Sequence, residues 1–354
     1  MATNIWFWVL FNLFVISMLA LDLGIFNKKS HKVGTKEAVL WSIMWISLAL
    51  LFNLGLWFFE GQEIALQFLG GYLLEKSLSV DNIFVFVMIF TYFGVQSQYQ
   101  HRVLYWGILS ALVLRGAMIL AGAALISQFE ILITIFGILL IVTALRMAND
   151  NDELIDLENN AVVRLGRRFL KLTDGYRGNK FMVIENGVRL FTPLILVLFV
   201  IETSDVVFAI DSIPAVFGIT RDPFIVYTSN IFAILGLRSL YFLLASVVDK
   251  FHYLKTGLAI VLAFVGIKMV VESVSGFVWV QELLANTTGI HLEHGLHMPI
   301  EWSLAVIAVV LGGSIALSLI FPKAPKAEKS SDELPESIRR AQEELASVQS
   351  DTGD

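Results

Sequence analysis

Five carboxylates lie inside stretches that otherwise read as lipid-soluble. Glu75 and Asp81 fall within "LQFLGGYLLEKSLSVDNIFVFVMIFTYF", and Glu202, Asp205 and Asp211 within "FVIETSDVVFAIDSIPAVFGIT". A centrally placed acid costs roughly 2.5–3.5 kcal/mol to insert, so five facing lipid would cost on the order of 12–17 kcal/mol. They must face each other, a cation or water. Asn82 and Ser212 stand beside them, and Ser77, Ser79, Thr203 and Ser204 add neutral oxygens. Hard oxygen donors suit Mg2+, Ca2+ or Mn2+ over softer ions. Neither stretch contains histidine, which weighs against zinc or nickel. The chain has no cysteine, so thiolate ligands and disulfides are excluded.

The competing reading is a set of structural ion pairs. Lys76, Arg115 and Arg238 also sit within apolar runs and could partner the acids. Five acids less three bases leave two negative charges, which match one divalent cation or two protons, and the balance favours a cation site. Lys268 has its own candidate partner in Glu272, four residues on. Glu202 and Asp205, three apart, share one helix face, whereas Glu75 and Asp81, six apart, diverge by about 120° on an unbroken helix. A break near Glu75 and Asp81 is therefore expected. Pro214 cannot donate to the carbonyl of Ile210, which frees an oxygen beside Asp211.

The elements that position these residues follow from composition. With 56% hydrophobic and 16% charged residues and a mean hydropathy of +0.74, the chain is a polytopic membrane protein rather than a soluble domain. Apolar stretches of about 20 residues, enough to cross a bilayer, predict nine transmembrane helices in an all-α fold: 4–26, 36–59, 64–93, 103–126, 129–147, 189–218, 224–248, 256–277 and 301–321. Lys and Arg crowd one set of loops, among them Lys28, Arg102, Arg164, Arg168, Lys180 and Lys250, while the opposite set holds only Arg221. That asymmetry places the N-terminus outside and the C-terminus in the cytoplasm. The first span lacks a basic leader and reads as a retained helix. Residues 1–322 form the transmembrane domain, with a cytoplasmic loop over 148–188, and 323–354 read as a cytoplasmic, largely disordered tail.

An internal repeat organises the spans. At an offset of 124, Asp81 meets Asp205, Phe84 meets Phe208, and Phe93-Gly94 meets Phe217-Gly218; after one deletion "LVLRG" at Arg115 meets "LGLRS" at Arg238. Three spans separate the copies, an odd number, so the second enters from the opposite side. Spans 3–5 and 6–8 then form an inverted-topology repeat, an architecture of secondary transporters with substrate sites near the midplane. A rival register pairs Glu75 and Asp81 with Asp205 and Asp211, which share the spacing of six. The first register is preferred because it also matches residues downstream.

The runs "LEKSLSVDNIFVF" and "TPLILVLFVIETSDVVFAIDSIPAVFGITRDPFIVYTSNIFAILGLRSLYFLL" resemble the two signature regions of the TerC family, also called the Alx family, and the similarity extends from "ALDLGIFN" to about residue 275. The resemblance implies an integral protein of the bacterial inner membrane that exports manganese, in a family linked to tellurite resistance and, for some members, to alkaline pH. Its acidic positions fall on Glu75, Asp81, Glu202, Asp205 and Asp211, with Asn82 and Ser212 beside them.

The expected function is a secondary transporter, not an enzyme, exporting Mn2+ in exchange for protons. Carboxylates that release a divalent cation repel one another and favour proton uptake. No Walker motif is present, so ATP is not the direct energy source. No permanently bound cofactor and no nucleic-acid partner are expected; lipid, a divalent ion and protons are. A Ca2+/H+ exchanger and a non-transporting scaffold are the alternatives. "HLEHGLH" places His291, Glu293, His294 and His297 in the external loop before the last span, at spacings that could bind a metal, but a histidine-rich polar loop is the simpler reading. Asp22 reads as solvated near the cytoplasmic end of its span, and Asn53 as the donor or acceptor of one interhelical hydrogen bond.

Overall fold

Within hydrocarbon every backbone polar group has to be satisfied inside its own segment, so long apolar runs become helices. The computed structural model describes residues 5–21, 34–149, 161–185, 187–244, 252–276, 296 and 298–321. The histidine loop and the C-terminal tail lie outside these, apart from residue 296. In chain order the helices are α1 (Ile5–Leu21), α2 (Thr35–Glu60), α3 (Gln62–Tyr92), α4 (Ser97–Gln128), α5 (Ile131–Asn149), α6 (Ala161–Phe169), α7 (Pro193–Phe217), α8 (Pro223–Leu235), α9 (Leu237–Leu244), α10 (His252–Ser275) and α11 (Ile300–Ile320).

Six of them, α2, α4, α5, α7, α10 and α11, are long and apolar enough to cross a bilayer, and α8 with α9 form a seventh, broken span bent by 41°. α3 is long enough, but its apolar run is interrupted by Glu75, Lys76 and Asp81. α1 has 17 residues. Tight joints separate several helices. Gly61 at φ 99° links α2 to α3, and Gly94 at φ 60° turns α3 into α4, both backbone states that side chains with a Cβ rarely adopt. α8 opens on Asp222, whose side chain accepts from the Phe224 amide at 2.8 Å, with Pro223 in the first turn.

Two features depart from the sequence reading. The sixth span does not begin at 189: an antiparallel hairpin of β1 (Met182–Glu185) and β2 (Val188–Phe191) comes first, and the helix starts at Pro193. The signal was the Asn186-Gly187 pair, the strongest short-range hairpin cue. Secondly, α3 is continuous through Glu75 and Asp81; the broken span is α8–α9, at Gly236.

Helix ends gather in two groups. At one end the starts of α3, α5 and α11 and the ends of α7 and α10 line a cavity of 840 Å³, with Glu63, Gln67, Lys268, Glu272 and Glu301 on its wall. Lys268 pairs there with Glu272 at 3.9 Å. At the other end the hairpin and its approach pack beneath α3 and α4. Tyr176 donates to the Phe93 carbonyl at 2.5 Å, and its burial pushes the phenol up to about 12. Arg102 stacks over Phe181 at 5.1 Å, and Tyr241 of α9 donates to Gln100 of α4 at 3.0 Å. α3 and α7 therefore run in opposite directions.

α3 packs along α8, α4 along α7, and α5 along α10. The α5–α10 crossing depends on two glycines. A Cβ on Gly137 would lie 2.8 Å from the Gly266 carbonyl oxygen and 2.7 Å from a Val270 methyl, and one on Gly266 would lie 2.7 Å from the Gly137 carbonyl oxygen. Close approach through small residues substitutes for hydrophobic attraction between helices in lipid. Gly137→Ala should therefore lower the melting temperature of the purified protein, since overpacking against backbone costs about 1–3 kcal/mol and exceeds the ~1 kcal/mol gained in helix propensity. Gly312→Ala on α11, where a Cβ meets nothing within 4 Å, should not lower it. Equal effects at the two sites would reject this account of the crossing.

Candidate cation site

Arg115 of α4 is the largest fully buried side chain among the described residues, 1% exposed. Its guanidinium is gripped from three helices. The Nε and Nη2 donors meet both oxygens of Asp205 on α7, at 3.1 and 2.8 Å, a bidentate fork. The Nη1 donor contacts Glu75 Oε1 on α3 and reaches Ser212 Oγ on α7 and Asn230 Oδ1 on α8, each at 3.4 Å. Ser212 also donates to Glu75 Oε1 at 3.3 Å. Among the described residues two buried atoms of this cluster find no hydrogen-bond partner: Glu75 Oε2 and Asn230 Nδ2. One guanidinium between two carboxylates leaves one formal negative charge.

The other acids stand apart. Glu202 accepts a hydrogen bond from Ser110 of α4, so Glu202 and Asp205 do share the face of α7 that meets α4. Asp211 accepts from Thr143 of α5 at 2.9 Å and feels the charge of Arg146. Asp81 is half-buried and the charge bearing on it is Lys255 of α10. Asn82, one residue on, is 2% exposed. The continuous α3 explains the partition: with no break, Glu75 and Asp81 point in different directions, as their spacing requires. Among the described residues no three His, Asp or Glu side chains form a metal-binding group.

The bases also divide. Arg115 is the partner of Glu75 and Asp205, Lys76 donates to the carbonyl of Ala233 at 3.3 Å, and Arg238 is buried on α9 beyond the bend. Thr203 is exposed and, like Ser77, Ser79 and Ser204, donates back to a carbonyl of its own helix, which uses the hydroxyl proton and leaves the oxygen lone pairs free. Ser110, Thr143 and Asn230 were missed in the sequence, where each is a neutral polar residue in a largely apolar helix. The acids that meet on Arg115, Glu75 and Asp205, belong to the rival, six-spaced register. Asn53 Oδ1 is buried with no hydrogen-bond partner among the described residues.

Six helices that can cross a bilayer, a seventh broken span, and a charged cluster held inside them define a multi-pass α-helical integral membrane protein. The chain belongs to the TerC family: the model for "Integral membrane protein TerC family" matches residues 60–326. It is 51% identical over 313 residues to a membrane protein of Myxococcus xanthus, covering 88% of this chain and 92% of that one. It is 48% identical over 273 residues to the Escherichia coli K12 protein named "Putative membrane-bound redox modulator Alx", covering 75% and 85%. A Rickettsia felis membrane protein is 42% identical over 265 residues, covering 75% and 88%. No solved structure matches.

Proposed function

We propose that this protein is a secondary transporter that exports a hard divalent cation, Mn2+ first and Ca2+ as the alternative, from the cytoplasm in exchange for protons. The observation that carries the reading is the Glu75–Arg115–Asp205 cluster, buried between α3, α4 and α7, with one carboxylate oxygen that has no partner among the described residues. Arg115 is a tethered countercharge: it fills the two carboxylates when no ion is bound and gives way to an arriving cation, with Ser212 and Asn230 beside it to receive a displaced Nη1. Glu202, Asp211, Asp81 and Asn82 are further stations of the pathway, and Lys76 and Arg238 complete its charge balance. Carboxylates vacated by the ion take up protons and reset the site. Manganese is the ion implied by the family resemblance; the oxygen donors themselves suit any hard divalent ion. The relatives' name speaks of redox modulation. With no cysteine in the chain, a thiol couple is not the route, and movement of a redox-active ion is the one we infer. The protein is read as a transporter and not an enzyme.

We further read α1 and α3 as spans, for nine in all, in the bacterial inner membrane with the N-terminus outside. The inverted repeat is supported by the opposed α3 and α7, by the matching of α3 on α8 with α7 on α4, and by the mutual fit of Gly137 and Gly266. Cysteines placed singly at Gln128 and Arg221, both exposed, should react with an impermeant thiol reagent from outside, and those at Asp174 and Lys180 should not. The absence of native cysteine makes the labelling specific. Reversed labelling would invert the direction of export.

A scaffold reading is favoured by one fact, that Arg115 already closes an ion-pair network. Flux of divalent ions through proteoliposomes containing the purified protein separates the two, because a scaffold moves none.

A further inference from the structure

Lys76 follows Glu75 on α3, yet its ammonium goes elsewhere. It lies 3.3 Å from the carbonyl oxygen of Ala233, in the last turn of α8 just before the 41° bend. Among the described residues no carboxylate stands within ion-pair distance of it. The bend residue is Gly236, where a Cβ would stand 2.6 Å from Lys76 Nζ and 3.4 Å from Trp45 Cβ. The missing side chain is the space the ammonium occupies.

The last carbonyls of a helix lack intrahelical donors and carry about half a negative charge. At membrane depth something else has to satisfy them. In transporters with broken helices, such ends coordinate the coupling monovalent cation. Here a half-buried primary ammonium sits at that end, in a hollow that only glycine leaves open. We propose that the α8–α9 break is a monovalent-cation seat that the chain fills with its own Lys76, so that the protein has no need of Na+ there. The proposal concerns a different position from the Arg115 cluster, and its readout below is stability, so it stands or falls apart from divalent transport.

The test uses melting temperatures of the full-length purified protein at constant ionic strength. The wild type should be indifferent to replacement of choline by Na+. Lys76→Ala empties the seat: it should melt several degrees lower, and Na+ or n-propylammonium should raise it saturably while choline does not. Lys76→Met fills the space without charge and should melt lower yet respond to neither cation. Failure of both cations to stabilise Lys76→Ala, or equal stabilisation of the wild type and Lys76→Ala by Na+, would overturn the proposal. Should Lys76→Ala not survive purification, Gly236→Ala decides, since its Cβ competes with the ammonium. It should lower melting in the native chain, by the clash and by loss of the ammonium's contact, and by less in the Lys76→Met background, where only the clash remains; additive losses would overturn the proposal equally.

Discussion

Arg115→Gln is expected to be the most destabilising single substitution in the bundle, costing about 3–5 kcal/mol, the range for removing one partner of a buried ion pair. The guanidinium is 1% exposed and holds Asp205 by a two-point fork while also contacting Glu75. Glutamine would leave two carboxylates facing each other without a countercharge, in a medium that cannot solvate them. Arg115→Lys should recover only part of the loss, because a point charge cannot reproduce the planar fork. The sharper version is a double-mutant cycle. Asp205→Asn alone should destabilise less than Arg115→Gln, since Glu75 still balances the arginine. Adding Asp205→Asn to Arg115→Gln should then restore stability relative to Arg115→Gln alone, because it removes one of the stranded charges. Melting temperatures of the four proteins in one detergent check this, and strict additivity would show that the cluster is not coupled as the geometry indicates.

Asp81→Asn is expected to do the reverse: abolish divalent flux and leave melting close to wild type. Asp81 is half-buried, makes no hydrogen bond or ion pair among the described residues, and feels only the more distant charge of Lys255. An amide of the same size strands no buried partner, so the 3–5 kcal/mol penalty of a broken pair does not arise. What it removes is negative charge on the pathway. Flux and melting should be read on the same preparations. Asp81→Asn with export per folded molecule intact would remove this residue from the site, and a melting loss as large as that of Arg115→Gln would make it structural.

Much of this was legible in the sequence because lipid imposes a simple rule. Apolar runs of sufficient length gave the helices, and the cost of acids in hydrocarbon directed attention to α3 and α7. The i+4 spacing identified Lys268 with Glu272 correctly. The partition of the acids was harder to read. Six-residue spacing implies that Glu75 and Asp81 diverge, which a break in α3 would reconcile; the helix instead continues and the two residues serve different neighbours. The break that exists, at Gly236, gave no signal stronger than a lone glycine in an apolar run, and the ammonium that sits there comes from α3, 157 residues before the Ala233 carbonyl it meets. Ser110, Thr143 and Asn230 escaped notice for a related reason: a neutral polar residue in a transmembrane helix declares its role only when its partner on another helix is known. The preference for pairing Asp81 with Asp205 rested on downstream matches, while the side chains that converge are those of Glu75 and Asp205.

The central claim is that these carboxylates carry an ion rather than hold helices together, and the most direct measurement is Mn2+ flux through the wild-type protein reconstituted in proteoliposomes, with internal pH followed in the same vesicles. The account predicts Mn2+ movement against empty-vesicle controls, coupled to proton movement in the opposite direction and accelerated by an imposed pH gradient of matching sign. Ca2+ flux with the same coupling would keep the mechanism and change the ion. No flux of either ion by protein that retains its wild-type melting transition would contradict the account and leave Glu75, Arg115 and Asp205 as a structural ion-pair network.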